Sequence, residues 1–501
     1  MAEYNDISRS DSDVGGDFTN SIMNAIDLLE GEMVQALRDL LAIKSVVGEA
    51  EGDQPFGKGV GAAFEHMLNM ANADGFDIEN TDNYGGHIEF GGLILDETGE
   101  VAGTSDEVLG ILGHLDVVPE GAGWSCDPFE GKLEDGKIFG RGAIDDKGPV
   151  IACYYAMKAL KSIGYVPEKK VRLILGLDEE TEWKGMEYYL SRVKAPDIGF
   201  SPDAEFPAIH GEKGILVFEL AKKIEKSTAK GLALRSISGG AAANMVADHA
   251  RAVVRGDSYT ALKSKLAEYR EETGYRLRAK GIGKSLEITA EGISAHGSTP
   301  EKGLNAISIL MEFLGRVGFA NESVEEFLRF YNEHIGFELN GCSLGCGLSD
   351  ELSGALVLNV GKARCDDKAM IVSINVRYPV TLTKEQVYEA MLPVIDENDI
   401  GLIKTTCKPP LFIPEDSHIV KTLMDVYRKH TGDAESKPLI IGGGTYARAA
   451  KNLVAFGPGF PGEEEPIHQK DEFISVEKLM KITKIYAEAI YLLSKPEDET
   501  A

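Results

Sequence analysis

The chain has 501 residues, too many for one compact domain, so we expect two domains. Its hydrophobic fraction of 43% is sufficient for well-packed cores. A formal net charge of −29 argues against a nucleic-acid partner or an acidic membrane surface, because phosphate groups are bound by clustered lysine and arginine. No apolar segment reaches the roughly 20 residues needed to cross a bilayer, and the start of the chain lacks a signal-peptide pattern, so we expect a cytoplasmic protein.

The first part of the chain predicts an α/β domain. Residues 1–20 are polar and acidic, so we expect disorder there, and a helical repeat of apolar residues begins at Ser21. The apolar stretch Val108–Leu112 predicts a buried strand. A helix and a further apolar strand, Val171–Leu177, follow it, and this order indicates a sheet that is at least partly parallel.

The pattern changes near residue 211. From there to residue 408, strands and helices alternate without the strand–helix–strand order of the first part, which predicts an inserted α+β domain over 211–408. After Pro409 the earlier pattern returns. We therefore predict that residues 21–210 and 409–501 together form one α/β domain with a mostly parallel sheet.

Residues suited to metal binding follow the predicted strands of the α/β domain. Functional loops lie at the carboxyl ends of parallel strands, so these side chains should lie close together. A hydrolytic metal site uses carboxylates and imidazoles from several loops. Two histidines and three carboxylates would suit two zinc ions that share one carboxylate, and the candidates are His114, Asp145, Glu180, Asp203 and His468.

The same residue types also have purely structural interpretations. Glu179 and Glu180 could be acids at the start of a helix, where the helix dipole stabilises negative charge. Asp145 and Asp146 could cap the helix that follows them. The occurrence of all these residues together, in this order and at strand ends, favours the metal site.

Four motifs resemble those of a known protein family. They are Gly113–Pro119 (GHLDVVP), Gly140–Gly148 (GRGAIDDKG), Asp178–Thr181 (DEET) and Ser201–Asp203 (SPD). As a set they resemble the dinuclear zinc peptidases related to carnosinase, carboxypeptidase G, aminoacylase and succinyl-diaminopimelate desuccinylase, and within that family the bacterial dipeptidase V type. The resemblance runs from about residue 25 to the end of the chain. It implies a zinc-peptidase-like catalytic domain with an inserted α+β lid domain.

The resemblance implies which residue binds which metal ion. Asp145 would be the carboxylate shared by two Zn²⁺ ions, with Mn²⁺ or Co²⁺ as alternatives. His114 and Asp203 would complete one metal site, and Glu180 and His468 the other. The resemblance further implies a cis peptide bond after Asp145.

Two further residues of the α/β domain would act on the reaction itself. By resemblance, Glu179 would be the general base that takes a proton from the attacking water and later protonates the leaving amine. Asp116 would hydrogen-bond the His114 ring, which fixes its tautomer and raises its basicity.

The inserted domain would contribute to substrate binding. By resemblance, His296 would reach over the site and donate a hydrogen bond to the developing oxyanion, while Asn244 and Arg377 would hold the substrate. The planar guanidinium of Arg377 suits a carboxylate. Backbone N–H groups of the glycine loop could bind the C-terminal carboxylate of a dipeptide; this loop comprises Gly442, Gly443 and Gly444.

These expectations combine into a metal-dependent dipeptidase that acts on short peptides with a free N-terminus. The alternative within the same chemistry is the deacylation of N-acyl amino acids, as in aminoacylases or desuccinylases. A second alternative is a metal-binding scaffold without activity, although the presence of Glu179 beside Glu180 argues against it. We expect a small peptide as the binding partner. The resemblance to the dipeptidase V type implies a monomeric protein, because a long lid can supply what smaller relatives take from a second subunit.

Overall fold

The structure, a computed structural model, describes residues 11–256, 260–463 and 466–496. The chain separates into two compact units. The first unit contains the residues up to His210, Ile413–Leu439 and those from Gly444 onward. The second unit contains Gly211–Phe412 and Ile440–Gly443. The division after residue 210 matches the position chosen from sequence, whereas the return to the first unit lies at 413 rather than 409.

The start of the chain differs from the sequence-based expectation of disorder up to residue 20. A helix extends over Asp11–Leu41, so residues 11–20 are helical, while residues 1–10 lie outside the described part of the chain. Extending an existing helix is much easier than nucleating one, so a packed apolar stretch can continue into polar sequence. The apolar residues after Ser21 supply that stretch, since Ile22, Ile26 and Met33 are buried.

A single sheet forms the centre of the first unit. In spatial order, seven of its nine strands are Asp77–Asn80, Gly86–Gly91, Lys170–Gly176, Val108–His114, Ile198–Ser201, Leu453–Ala455 and Ile209–Glu212. The four strands from Lys170–Gly176 to Leu453–Ala455 are parallel, and the flanking strands are antiparallel. All seven residues of Val108–His114 are buried, as expected for a central strand covered on both faces.

Helices supply the remaining packing of the first unit. They are Asp11–Leu41, Lys58–Ala73, Lys147–Ser162, Lys184–Leu190, His418–Thr431 and Val476–Leu493, with a short 3₁₀ helix at Tyr446–Ala449. Ser475 begins the last helix, as the sequence predicts: its hydroxyl accepts a hydrogen bond from the backbone N–H of Lys478 at 3.0 Å. Gly432, with φ of 73°, ends the helix His418–Thr431 in the left-handed conformation that glycine tolerates.

The second unit is an α+β domain with its own core. Its eight-stranded antiparallel sheet has the spatial order Arg276–Ile282, Ser285–Glu291, His249–Arg255, Ala233–Gly239, Val357–Cys365, Ala369–Tyr378, Gly214–Lys223 and Gly401–Lys408. The helices are Thr260–Thr273, Ala306–Gly315, Glu322–His334 and Lys384–Glu397, with a 3₁₀ turn at Pro300–Lys302. A capping box of Thr383 and Gln386 starts the last of these helices.

Short strands complete the description. In the first unit they are Leu93–Leu95 with Val101–Thr104, Lys132–Glu134 with Lys137–Phe139 and Phe473–Ser475, and Ala204–Glu205 with Pro458–Gly459. In the second unit Ser349–Asp350 pairs with Gly354–Ala355. The strands Leu411–Phe412 and Leu439–Ile441 lie where the chain passes between units. Among the described helices, none has the length and apolar character needed to cross a membrane.

Candidate metal centre and ligand-binding residues

The predicted metal-binding residues of the first unit meet at one edge of its sheet. His114 is the last residue of strand Val108–His114, and Glu179 and Glu180 follow the neighbouring strand Lys170–Gly176. Asp203 follows Ile198–Ser201 on the other side of the central strand. Because these strands are parallel, their carboxyl ends share an edge, as the sequence predicts.

Asp145 lies between the two candidate histidines. Its Oδ1 is 3.1 Å from His114 Nε2, and its Oδ2 is 2.9 Å from His468 Nε2. His468 Nε2 also lies 2.8 Å from Glu180 Oε1, and His114 Nε2 lies 3.7 Å from Asp203 Oδ2. The single Asp145 carboxylate therefore faces both histidines, each with a different oxygen, which would suit a ligand shared by two metal ions.

The His114 ring is oriented by Asp116, although the main contact differs from the predicted one. His114 Nδ1 is 2.9 Å from the backbone carbonyl oxygen of Asp116 and 3.4 Å from its Oδ1. A carbonyl oxygen only accepts, so Nδ1–H donates, and in the neutral ring the lone pair of Nε2 then faces the site. This is the tautomer in which His114 can act as a ligand.

The Asp116 carboxylate has a second task that the sequence did not reveal. Its two oxygens accept hydrogen bonds from the backbone N–H groups of Glu179 at 3.0 Å and Glu180 at 3.1 Å. The completely buried Asp116 therefore fixes the loop that carries the candidate base and a candidate ligand.

Crowding of carboxylates changes the acidity of the site. Burial, together with the nearby Asp203 carboxylate, raises the pKa of Glu179 well above its usual value. Burial and the Asp145 carboxylate raise the pKa of Asp203 to about 7. The site therefore holds more negative charge than its buried surroundings stabilise.

The histidines respond in the opposite direction. Hydrogen bonds to Asp145 and Glu180 raise the pKa of His468 to about 10. Burial alone would raise the pKa of Asp145, yet the adjacent imidazoles of His114 and His468 hold that pKa below its usual value. Both imidazoles thus face carboxylates, and these carboxylates favour a positive charge on or next to the imidazole nitrogens.

These features fit a divalent cation. The lone pair of His114 Nε2 faces the carboxylates of Asp145 and Asp203, an arrangement that needs a proton or a metal ion between the atoms. Ligand atoms of His114, Asp145 and Glu180 lie within 4.8 Å of one another, as do those of His114, Glu179 and Asp203. Carboxylate oxygens and imidazole nitrogens are ligands that zinc and related divalent metals accept.

Glu472 is a buried residue of this site that the sequence analysis missed. Its Oε1 accepts hydrogen bonds from the backbone N–H groups of Gly142, Ile144 and Asp145 at 3.1, 2.9 and 3.3 Å. Its Oε2 forms an ion pair with the buried Arg141. Glu472 therefore shapes the loop that presents Asp145. Its position four residues after His468 was the available signal.

Two aromatic residues that the sequence analysis also missed pack next to the candidate metal ligands. The Tyr446 ring is completely buried, edge-on to His114 with the ring centroids 6.2 Å apart, and it contacts the Trp183 ring at 4.9 Å. Trp183 Nε1 donates to the backbone oxygen of Glu179 at 2.8 Å. Gly176 has to lack a side chain here, because a Cβ would lie 2.4 Å from the Tyr446 ring.

The purely structural interpretations of the acidic pairs can now be assessed. Asp146 does occupy the N-cap position of helix Lys147–Ser162, but its side chain makes no capping hydrogen bond. Instead its Oδ2 accepts from the backbone N–H of His114 at 3.0 Å. The peptide bond between Asp145 and Asp146 is cis, as the resemblance implies. Glu182, which directly follows the motif Asp178–Thr181, is exposed and pairs with Lys184.

In the second unit, the chain around His296 is paired with the chain around Asn244. The backbone N–H of Gly297 donates to the Asn244 carbonyl oxygen at 2.7 Å, and Met245 forms a β-bridge with His296. Gly297 is required at this approach, since a Cβ would lie 2.8 Å from that oxygen. The side chains of Asn244 and His296 are both exposed in this arrangement.

Arg377 is held on strand Ala369–Tyr378 of the same unit. Its Nε donates to Asn375 Oδ1 at 2.8 Å, and its Nη1 donates to the Gly442 carbonyl oxygen at 2.7 Å. The guanidinium is thus fixed beside the glycine loop. The division of the chain runs through this loop, because Gly442 and Gly443 belong to the second unit and Gly444 to the first.

Strand-end carboxylates that surround two imidazoles define a metal-dependent hydrolase as the class of protein. The family model described as "Peptidase family M20/M25/M40" matches residues 110–492. A Bacillus subtilis protein named "Putative dipeptidase YtjP" is 36% identical over 468 residues, which cover 93% of this chain and 97% of that protein. A Staphylococcus haemolyticus protein named "Putative dipeptidase SH1171" is 37% identical over 472 residues, which cover 93% of this chain and 97% of that protein. The chain belongs to peptidase family M20/M25/M40 and is a metal-dependent hydrolase.

Solved structures share the fold. The aminoacylhistidine dipeptidase of Vibrio alginolyticus has a TM-score of 0.55 at 16% identity, and the match covers 93% of this chain and 96% of that one. The dipeptidase Dug1p of Saccharomyces cerevisiae has a TM-score of 0.53 at 13% identity, covering 96% and 99% of the two chains. The predicted fold class, an α/β catalytic domain with an additional α+β domain, is confirmed.

Proposed function

We propose that this protein is a dipeptidase that hydrolyses dipeptides with a free N-terminus. The observation that carries the proposal is Asp145 lying between His114 and His468, with the half-buried Glu179 at the same sheet edge. The names of its relatives support the choice of a dipeptide among possible amide substrates.

We assign the metal site to the residues that meet around Asp145. Asp145 would be shared, with His114 and Asp203 on one side and Glu180 and His468 on the other. We propose two Zn²⁺ ions as the native metal, with Mn²⁺ or Co²⁺ as alternatives, and metal analysis of protein purified without added metal tests this assignment. When bound, the metal polarises the scissile carbonyl and lowers the pKa of the attacking water.

The chain's own residues manage the proton. Desolvation and the nearby Asp203 carboxylate raise the pKa of Glu179, which suits a group that must both accept and return a proton. We propose that Glu179 accepts the proton of the attacking water and donates it to the leaving amine. The Asp116 carboxylate accepts a hydrogen bond from the backbone N–H of Glu179 and so keeps Glu179 in place. Asp116 therefore acts as a positioning residue.

Residues of the second unit are proposed to bind the substrate. Arg377 has its guanidinium fixed by Asn375 and Gly442, which suits recognition of a carboxylate. Asn244 offers an exposed amide on the segment paired with that of His296. We propose that these groups and the N–H groups of Gly442, Gly443 and Gly444 bind the substrate, and that His296 donates to its carbonyl oxygen.

A substrate panel tests the proposed reaction. Wild-type protein loaded with zinc or manganese would be given dipeptides, tripeptides and N-acetyl or N-succinyl amino acids, and released amino acids would be quantified. We expect turnover of dipeptides with a free amine. Turnover restricted to the N-acyl amino acids would replace the proposal with deacylation at the same site.

Two further proposals concern the state of the protein. We propose a cytoplasmic location, which is supported by six cysteines that are all free. We also propose a monomer whose ligand is a small peptide rather than a nucleic acid or a membrane. Light scattering coupled to gel filtration tests the monomer, and a mass of twice 54.2 kDa would contradict it.

A further inference from the structure

Ser298 approaches one particular nitrogen of the His296 ring in the second unit. The Ser298 hydroxyl oxygen lies 2.6 Å from His296 Nδ1. The backbone nitrogen of Ser298 lies 3.2 Å from the same Nδ1 and donates its N–H to it. His296 Nδ1 therefore has two potential donors from one residue, and its Nε2 has no hydrogen-bond partner among the residues that the structure describes.

The backbone contact decides which nitrogen carries the proton. An amide N–H only donates, and its direction is fixed by the peptide plane, so the nitrogen that it points at must offer a lone pair. His296 Nδ1 is therefore unprotonated, and the rotatable Ser298 hydroxyl donates to it as well. In a neutral imidazole with an unprotonated Nδ1, the proton resides on Nε2.

The ring remains neutral in this environment. Partial desolvation of the imidazole lowers the pKa of His296 below its usual value, and the positive charge of Arg377 lowers it further. A neutral ring with a fixed tautomer presents one donor, Nε2–H, and no competing charge.

Ser298 itself is held in place from two sides. The backbone N–H of Thr299 donates to the His296 carbonyl oxygen at 3.0 Å, which closes a tight turn around Ser298. On the other side Gly442 packs against it: a Cβ added at Gly442 would lie 2.9 Å from Ser298 Cβ. The Gly442 carbonyl is in turn fixed by Arg377, so the turn cannot shift freely.

We propose that Ser298 is a positioning residue that holds His296 in the Nε2–H tautomer, so that Nε2–H can donate to a carbonyl oxygen of the substrate. The inference rests on the proposed function, because it assigns a catalytic use to that donor. The tautomer itself follows from contacts within the second unit and can be measured without turnover.

The first experiment measures the tautomer in the metal-loaded full-length enzyme. Histidine ring nitrogens would be labelled with ¹⁵N, and long-range ¹H–¹⁵N spectra would be recorded near pH 7.5, with the His296 signals identified by their loss in His296→Asn. We expect Nδ1 to show the shift of an unprotonated nitrogen and Nε2 that of a protonated one. A protonated Nδ1 would overturn the proposal, whatever substrate the enzyme hydrolyses.

The second experiment links the contact to turnover. Ser298→Ala removes the hydroxyl and keeps the backbone donor, Ser298→Thr keeps both, and the exposed Ser294→Ala serves as the matched control. We expect Ser298→Ala to move the Nδ1 shift toward that of an unbonded nitrogen and to lower kcat about threefold to tenfold, the effect of one lost hydrogen bond, with KM nearly unchanged.

Rescue and failure are equally specific. Ser298→Thr should restore both the Nδ1 shift and kcat, and Ser294→Ala should alter neither. Loss of thermal stability in Ser298→Ala without any change in the Nδ1 shift would assign Ser298 a structural role and overturn the proposal. If the enzyme turns over N-acyl amino acids instead of dipeptides, the same kcat comparison on those substrates decides the role of Ser298.

Discussion

The polar residues around Asp145 and those around Arg377 differ in how far the protein itself balances their charge and hydrogen-bonding groups. Around Asp145 in the first unit, half-buried carboxylates lie close together, and desolvation together with their mutual repulsion raises the pKa values of Glu179 and Asp203. In the second unit, the Arg377 guanidinium already donates hydrogen bonds to the Asn375 side chain and to the backbone carbonyl oxygen of Gly442. The first group needs a cation to balance its charge, whereas the Arg377 guanidinium of the second already has hydrogen-bond acceptors from the protein.

Metal removal should show this difference most strongly. We expect chelation to abolish turnover and addition of zinc or manganese to restore it. Metal that binds only the folded state also stabilises it, by about 2.7 kcal/mol at a free concentration of 100 times Kd. Hydrogen exchange should therefore slow on metal addition in Gly113–Asp116 and Asp178–Thr181, and exchange on strand Ala369–Tyr378 should remain the same.

Equal protection of both regions by metal would contradict the distinction. A form stripped of metal that still hydrolyses dipeptides at the original rate would contradict the proposed reaction itself.

Substitution of Glu472 tests how the metal loop is built. The Glu472 carboxylate pairs with Arg141 and accepts hydrogen bonds from three backbone N–H groups. Glu472→Gln keeps the size of the side chain but removes its negative charge. We expect metal affinity to fall about 10- to 100-fold, as is typical when the support of a ligand is lost. Competition with a chromophoric chelator measures it, and Glu463→Gln, which removes an exposed charge paired with Lys478, is the control. Unchanged affinity would show that Asp145 does not depend on this support.

Arg377→Lys tests the hydrogen-bonded group of the second unit. Lysine keeps the charge but loses the planar fork, so we expect KM for a dipeptide to rise roughly 10-fold, since a charged hydrogen bond contributes about 1.5–3 kcal/mol. Metal content should remain at the wild-type value. Arg364→Lys is the matched control, because Arg364 is an exposed residue of the adjacent strand that pairs with Glu219. An increase in KM shared by both variants would argue against a specific role.

The pH dependence of metal binding provides the smallest and most graded test. Because the pKa of Asp203 is raised to about 7 and that of Glu179 well above its usual value, the metal-free site holds protons that a metal must displace. Affinity should therefore fall as pH decreases from 8 to 6, by about tenfold per pH unit for each proton released. Titrations in buffers of different ionisation enthalpy count the protons, and an affinity independent of pH would contradict the crowding of charge.

The sequence predicted the parts of this molecule that follow from periodicity and strand order. His114, Glu180 and Asp203 could be placed at one sheet edge because parallel neighbours end on the same side, and the structure brings them together. Asp145 and His468 were candidates from their residue types alone, and only the resemblance gave each a place in the ligand set, since neither follows a strand of that edge.

Contacts between distant segments could not be predicted in this way. Glu472 lies more than 300 residues from the loop that it shapes, and nothing in local spacing links it to Gly142 or Ile144. The His114 contact with the backbone of Asp116 also depends on the local chain path, which side-chain patterns do not specify. The helix over residues 11–20 was missed because its polar composition resembles that of disordered segments.

The most direct test of the proposed function compares wild type with Glu179→Gln in dipeptide hydrolysis, with metal content measured on the same samples. The substitution preserves shape and removes the proton acceptor, so we expect turnover to fall about 10²- to 10⁴-fold while the metal content stays the same. Wild-type turnover in the variant, with its metal retained, would contradict the assignment of Glu179 as the base of this peptidase.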